Sequence, residues 1–243
     1  MAEAFAWGLL ASSSLLLGGL FALSFRIGNR TLGLVMAFGS GVLISAVAYE
    51  LVLEAFETSK GGGDVAFGLF AGCAVFSIGD ALIDRMGGAR RKHSGGGQAE
   101  GSSLAIVLGI VLDGIPESIV LGLTLVGGGG IGFAILAAIF LSNLPEAIGA
   151  TSGLSSAGWR RSRIIGLWLI VMLVSGLAAL AGYALFDTAS ARVVAFVLAF
   201  AAGAILTMLA DTMMPEAFEH GGKLVGVMTT LGFVVAFTIH TLD

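Results

Sequence analysis

Three prolines occur in the chain, and each is followed directly by a glutamate: Pro116-Glu117, Pro145-Glu146 and Pro215-Glu216. All three pairs lie in long apolar stretches, where a charged side chain at the centre of a bilayer costs about 2.5–3.5 kcal/mol. Proline has no amide hydrogen to donate to the carbonyl four residues earlier, so that oxygen is left available. A helix kink, a bare carbonyl oxygen and a carboxylate within one turn predict a cation site.

Further acidic residues are predicted within the apolar stretches, and no Lys, Arg or His is predicted at the same depth. The acids expected inside are Glu50, Asp80, Asp113, Glu117, Glu146 and Asp211, with Glu54 and Glu216 nearer the ends of their stretches. A buried carboxylate without a basic neighbour either takes up a proton or binds a cation. This pattern favours a metal ion or a proton as the ligand and disfavours an anion.

Two of the Pro-Glu segments match each other. LDGIPES (112–118) aligns on LSNLPEA (141–147) at an offset of 29. Residues four apart share a helix face, which places Asp113 with Glu117, and Ser142 with Glu146. If the two kinks face each other, these four side chains, Asn143 and the carbonyl of Leu112 could surround one divalent cation with near charge balance. Alternatively, the prolines only kink the helices and the acids are protonated or paired through water.

The composition places these segments in a membrane. Hydrophobic residues make up 57% of the chain and charged residues 12%, and the mean hydropathy is +1.00. A soluble domain carries about 25% charged residues. The single cysteine, Cys73, excludes an intramolecular disulfide and a cysteine-rich metal site. We expect a lipid bilayer around the chain, no nucleic-acid partner, and an N-terminal segment that is a retained helix instead of a cleaved signal.

A spanning helix needs about 20 apolar residues, and eight such segments are predicted in one transmembrane domain covering residues 1–243. They lie near residues 5–25, 31–55, 65–84, 103–126, 131–153, 164–185, 193–216 and 223–241. Ten of the twelve Lys and Arg residues fall on one side, including those of the loop 86–102. The positive-inside rule then makes this loop cytoplasmic and places both termini outside, in a plasma membrane or a prokaryotic inner membrane.

An internal repeat relates the second and seventh segments. Residues 37–57 align without gaps on residues 199–219 at an offset of 162, with eight identical residues. The two segments run in opposite directions, so the fold class is all-α with an inverted repeat: three spans, an inserted pair, then three spans. Small residues recur every four positions, which allows close helix packing and permits a homodimer. These residues are Gly33, Ala37, Gly41 and Ser45, and Ala195, Ala199, Gly203 and Thr207.

The repeat also suggests an entry and an exit for a cation. Glu50, Glu54 and Glu57 are predicted to rise toward the outer face, whereas Asp211, Glu216, Glu219 and His220 descend toward the cytoplasm. The alternative is that Glu54, Glu57, Glu216 and Glu219 are ordinary solvated charges at helix ends. His240 is predicted to be an interfacial residue.

The motifs DGIPES and SNLPEA resemble the paired HNxPEG-like motifs in the fourth and fifth helices of the ZIP family of divalent metal transporters. The eight spans, the outside termini, the 3+2+3 plan and the polar third loop are also similar to that family. The resemblance implies that Asp113, Glu117, Ser142 and Glu146 occupy its metal-ligand positions, with Gly114 and Asn143 beside them. His93 lies in the loop where the family often has a His-rich segment, but a single histidine there is better explained as an ordinary loop residue.

The chain departs from the family at the site itself. Asp113 replaces the usual histidine, Ser142 stands at a ligand position, and Gly114 has no ligating side chain. We therefore expect one ion, not two. Zinc is the metal that the resemblance implies, whereas an all-oxygen ligand set also suits manganese, iron(II) or magnesium.

These features predict a metal transporter that works by alternating access, is not an enzyme and holds no resident cofactor. One alternative is a membrane sensor or scaffold that keeps the fold without transport. An intramembrane hydrolase is disfavoured, because no histidine or lysine is predicted at mid-membrane depth to activate a serine. A carrier of small organic cations fits the acids but not the Pro-Glu pairing. Low pH should inhibit metal binding, because carboxylate ligands must be deprotonated.

Overall fold

Helices account for almost all of the backbone that the computed structural model describes, which is residues 1–25, 27–60, 62–88, 103–126 and 133–242. Within these ranges there is no β-strand. Apart from residues 86–88, the predicted cytoplasmic loop lies outside the described residues, and so does His93.

Ten α-helices follow one another along the described ranges. They are α1 (Ala2–Ser24), α2 (Asn29–Ala46), α3 (Glu54–Thr58), α4 (Asp64–Ile83), α5 (Ser103–Leu123), α6 (Phe133–Ser156), α7 (Arg161–Phe186), α8 (Ala191–Met208), α9 (Met214–Gly221) and α10 (Val225–His240). Short π-helical or 3₁₀ segments join several of them without a loop.

Six helical stretches within the described ranges are long and apolar enough to cross a membrane. They are Ala2–Ser24, Asn29–Thr58, Asp64–Gly87, Phe133–Ser156, Arg161–Phe186 and Ala191–His240. The last one has 50 residues, and its chain leaves the helical conformation at Gly222, where φ is 62° and ψ is −142°. Glycine adopts this conformation without steric penalty. Over its described residues the chain is thus all-helical, with several helices of the kind that form a multi-pass membrane protein. Helices overlap all eight predicted spans, but that eight of them cross a bilayer stays a prediction.

Two long helices contain a π-helical segment at equivalent positions. Val47–Leu53 joins α2 to α3, and Leu209–Met213 joins α8 to α9. Val47 and Leu209 are 162 positions apart, the offset of the sequence repeat. Pro215 lies directly after the second of these segments, at the start of α9 and within a continuous helical stretch, so the kink predicted there stays a prediction. Its counterpart is Leu53, so a π-helical segment forms with or without proline nearby.

Glycines let the long helices touch backbone to backbone. A Cβ atom on Gly41 of α2 would lie 1.9 Å from the carbonyl oxygen of Thr229 in α10. A Cβ on Gly203 of α8 would lie 2.0 Å from the carbonyl oxygen of Leu69 in α4. Gly41 and Gly203 belong to the two small-residue stripes, so these stripes are used for packing within the chain. The homodimer stays a prediction.

A second set of close contacts surrounds the proline-containing helices. Helix α1 packs against α6 and α7, and α5 packs against α7. A Cβ on Gly18 of α1 would lie 2.6 Å from the carbonyl oxygen of Leu144 in α6. A Cβ on Gly122 of α5 would lie 2.0 Å from the carbonyl oxygen of Ala179 in α7. These contacts bring α1, α5, α6 and α7 around one point of the interior.

Candidate metal site

Both inner prolines lie within continuous helices, Pro116 in α5 and Pro145 in α6. Because proline lacks an amide hydrogen, the carbonyls of Leu112 and Leu141 cannot accept the usual helical hydrogen bond. The α6 proline is also held from outside, since a Cβ on Gly39 of α2 would lie 3.0 Å from Pro145 Cγ. Both matched motifs therefore lie inside helices, and the motif of α6 packs against α2.

A small cavity lies beside these prolines. Its volume is ≈ 20 Å³, and it is lined by Leu15, Ile110, Asp113, Gly114, Asn143, Glu146, Ala150 and Trp168. A single water molecule needs about 10–15 Å³ by the same kind of measure. The cavity is therefore large enough for one water molecule or one metal ion.

The cavity brings together three of the five predicted ligands. Asp113 and Asn143 are 4% and 5% exposed, and both line the cavity together with Glu146. Glu117 is buried one turn from Asp113 but is not among the lining residues. Ser142 is also buried outside the lining, and its hydroxyl donates to the carbonyl oxygen of Ile139 at 3.1 Å.

Helices α1 and α7 contribute to the wall of this cavity as well as α5 and α6, whose facing motifs were predicted to form the site. Trp168 of α7 is 1% exposed, and its Nε1–H donates to Thr151 Oγ1 at 2.8 Å. The indole lies against α1, where a Cβ on Gly19 would be 2.5 Å from Trp168 Cδ1. Sequence reasoning missed Trp168. The Gly18-Gly19 pair in the sequence indicates that another helix packs closely there, but it does not identify the side chain that fills the space.

The lining residues have the chemistry of a cation site. Asp113 and Glu146 together balance the charge of one divalent ion, and Asn143 adds a neutral amide oxygen. In the part of the chain that the structure describes, no Lys, Arg or His lines the cavity. Among the described residues, no group of three His, Cys, Asp or Glu side chains is close enough to form a complete metal site. An ion here would need Asn143, a backbone carbonyl or water as further ligands.

The residues predicted to form the entry and exit differ in their surroundings. Glu54, Glu57, Asp211 and Glu219 are exposed at the surface of the protein. Glu216 is instead buried at 5% exposure, and its Oε1 lies 3.8 Å from Nε2 of His220. Glu50 is half-buried and contacts His240, the histidine predicted to be interfacial.

Comparison with known proteins gives one distant relative. An Arabidopsis thaliana protein named "Putative zinc transporter" is 26% identical over 192 residues. The matched region covers 77% of this chain but only 30% of the plant protein, so the chain spans less than a third of that relative. No family model matches the chain.

Proposed function

We propose that this chain is a divalent metal cation transporter of the ZIP type. It moves zinc, or manganese or iron(II), toward the cytoplasm through one oxygen-rich site lined by Asp113, Asn143 and Glu146. The observation that carries the proposal is the buried cavity of ≈ 20 Å³ with two carboxylates in its wall. Carboxylates at that depth are rare in membrane proteins unless they serve a substrate or ion pathway.

The packing of the helices supports an alternating-access mechanism. Helix α10 packs along α2, and α4 packs along α8. Helices α4 and α10 form the third predicted span of their halves, and α2 and α8 belong to the second, so the third span of each half contacts the second span of the other. Likewise α1 packs along α6, and α5 along α7. Both sets of contacts are expected of a 3+2+3 inverted repeat, in which one half rocks against the other around a fixed site.

The name of the plant relative supports a metal as substrate, and zinc is the ion in that name. The ligand set is less selective, since carboxylate and amide oxygens also suit manganese and iron(II). The distribution of Lys and Arg supports a cytoplasmic side near Arg160, Arg161 and Arg163, with both termini outside. Plasma membrane, or inner membrane in a prokaryote, is the location that follows.

Uptake into proteoliposomes tests the proposal. We expect saturable uptake of at least one of zinc, manganese, iron(II), cadmium and magnesium. Asp113→Asn and Glu146→Gln keep the side-chain size but remove the two cavity charges. Each should lower the maximal uptake rate by at least about 100-fold, which corresponds to about 2.7 kcal/mol in the transport barrier.

The matched control is Asp187→Asn, because Asp187 is an exposed acid at the end of α7 and lies outside the cavity. Its uptake should equal that of the unmodified protein. If the inserted, folded protein takes up none of these metals, a sensor or scaffold replaces the transporter. If the cavity variants transport normally, the site is wrong.

A further inference from the structure

Outside the cavity, one histidine is held in place by residues from a distant part of the chain. Nδ1 of His240, at the end of α10, lies 2.5 Å from Oε1 of Glu50 in the π-helical segment Val47–Leu53. The two residues are 190 positions apart. Their side chains are 33% and 18% exposed, so the pair is partly covered but open to solvent.

The imidazole ring is also fixed by an aromatic neighbour. Tyr49 stacks on His240 with ring centroids 5.4 Å apart and an interplanar angle of 27°. Tyr49 in turn contacts Phe237, one turn before His240, at a centroid distance of 5.1 Å. A ring that is oriented before binding loses little conformational freedom when it takes a ligand.

The contact with Glu50 decides which nitrogen faces a ligand. When Nδ1–H donates to the carboxylate, Nε2 carries the lone pair. Most histidines that bind metals in proteins have this arrangement, with the second nitrogen donating to a carboxylate or a carbonyl. The carboxylate fixes the tautomer and makes the free nitrogen a stronger ligand.

We propose that Nε2 of His240, oriented by Glu50, is a ligand of a second, peripheral site for a divalent cation. The identity of this cation rests on the proposed function: it is the transported metal, on its way to or from the cavity. A single imidazole with water in the other positions binds weakly and exchanges quickly, which suits a capture site. Nitrogen ligation favours zinc over magnesium and manganese.

The equivalent place in the other half carries different chemistry. Gly72 of α4 and Gly232 of α10 make matching close approaches, because a Cβ would lie 1.9 Å from Phe200 O and 2.0 Å from Phe38 O, respectively. This correspondence of 160 positions places Asp80 where the other half has His240. The sequence repeat likewise places Thr212 where the other half has Glu50. Equivalent helix packing thus does not require an imidazole–carboxylate pair, and the pair formed by Glu50 and His240 is not repeated at the equivalent place in the other half.

The test is a metal titration of the purified chain in nanodiscs, followed by nitrogen NMR with labelled histidine. His240→Gln identifies the His240 signals. On addition of Zn²⁺ we expect a saturable shift of the Nε2 resonance of His240. Glu50→Gln should weaken this binding by about 10-fold or more, as is usual for the carboxylate behind a metal-binding histidine.

The control for that variant is Glu3→Gln, an exposed glutamate near Trp7 at the start of α1. It should leave the His240 titration unchanged, and so should Asp113→Asn. A Nε2 resonance that stays fixed at millimolar Zn²⁺ would overturn the peripheral site. The transporter proposal fails separately, through absent uptake in proteoliposomes, and a bound ion at His240 would survive that result.

Discussion

The second and seventh predicted spans have the same backbone plan but different polar side chains. In each, a long α-helix passes through a π-helical segment that starts at Val47 or Leu209. Each also packs against its neighbour through a glycine, Gly41 or Gly203. An added Cβ atom would lie about equally close to a backbone carbonyl oxygen at both positions. Beyond these features the halves diverge, because Glu50 is replaced by Thr212. The repeated residues specify packing, and the residues that differ can give each end of the molecule its own ion chemistry.

The largest effect is expected at the two glycines, which test whether the two halves pack in the same way. Gly41→Ala and Gly203→Ala each place a methyl group about 2 Å from a backbone carbonyl oxygen, so the helices must separate. We expect each change to lower the free energy of unfolding by at least about 3 kcal/mol, at the upper end of the usual cost of overpacking. Thermal unfolding in detergent measures the loss.

The controls are Gly166→Ala in α7 and Gly226→Ala in α10, where an added Cβ meets no atom within 4 Å. These changes should be neutral or should stabilise by up to about 1 kcal/mol, because alanine favours a helix over glycine. If Gly203→Ala behaves like these controls while Gly41→Ala does not, the two halves are not packed equivalently.

An intermediate effect is expected at a glutamate that the repeat keeps but the structure treats differently. Glu216 is buried at 5% exposure beside His220, whereas its counterpart Glu54 is exposed. Glu216→Ala should therefore lower the free energy of unfolding by about 1–3 kcal/mol, because it disrupts a buried polar contact. Glu54→Ala should change it by less than about 0.5 kcal/mol. Equal losses in urea or thermal unfolding would mean that burial does not distinguish the two positions.

The smallest effect is expected at an ion pair between the first turn of α4 and the first turn of α8. Arg192 of α8 binds Asp64 of α4 through two hydrogen bonds, of 2.6 and 2.9 Å, on the protein surface. The sequence repeat, with its offset of 162, makes Arg30 the counterpart of Arg192. The correspondence of 160 positions between α4 and α10 makes Leu224 the counterpart of Asp64. Arg192→Gln should lower the Tm by no more than about 2 °C, because exposed ion pairs contribute little. Arg30→Gln should leave the Tm unchanged, and high salt should remove the difference between the two variants.

The sequence alone predicts the helical segments well, because long apolar runs and charged loops are local signals. The ends are less certain, as α6 continues to Ser156 and α9 to Gly221, beyond the predicted spans. The two π-helical segments were not predicted. A proline follows only the second segment, so no sequence signal is common to both. The change of hydrogen-bond register depends on packing against neighbouring helices.

The candidate site could be predicted only in part. A spacing of four along α5 and α6 singled out Asp113 and Glu146 among the residues that line the cavity, whereas Asn143 was included only as their neighbour in the motif. Spacing cannot tell which side chain on a helix face reaches a cavity, so Ser142 was included although its hydroxyl bonds to its own helix. Trp168 and the contact between Glu50 and His240 depend on helices distant in sequence.

The most direct test of the central claim is to locate the ion by anomalous diffraction from crystals grown with zinc. We expect one strong peak in the cavity lined by α1, α5, α6 and α7, about 2.0–2.2 Å from carboxylate oxygens of Asp113 and Glu146. The peak should be absent from crystals of Glu146→Gln. An empty cavity at saturating zinc, with peaks only elsewhere, would contradict the account.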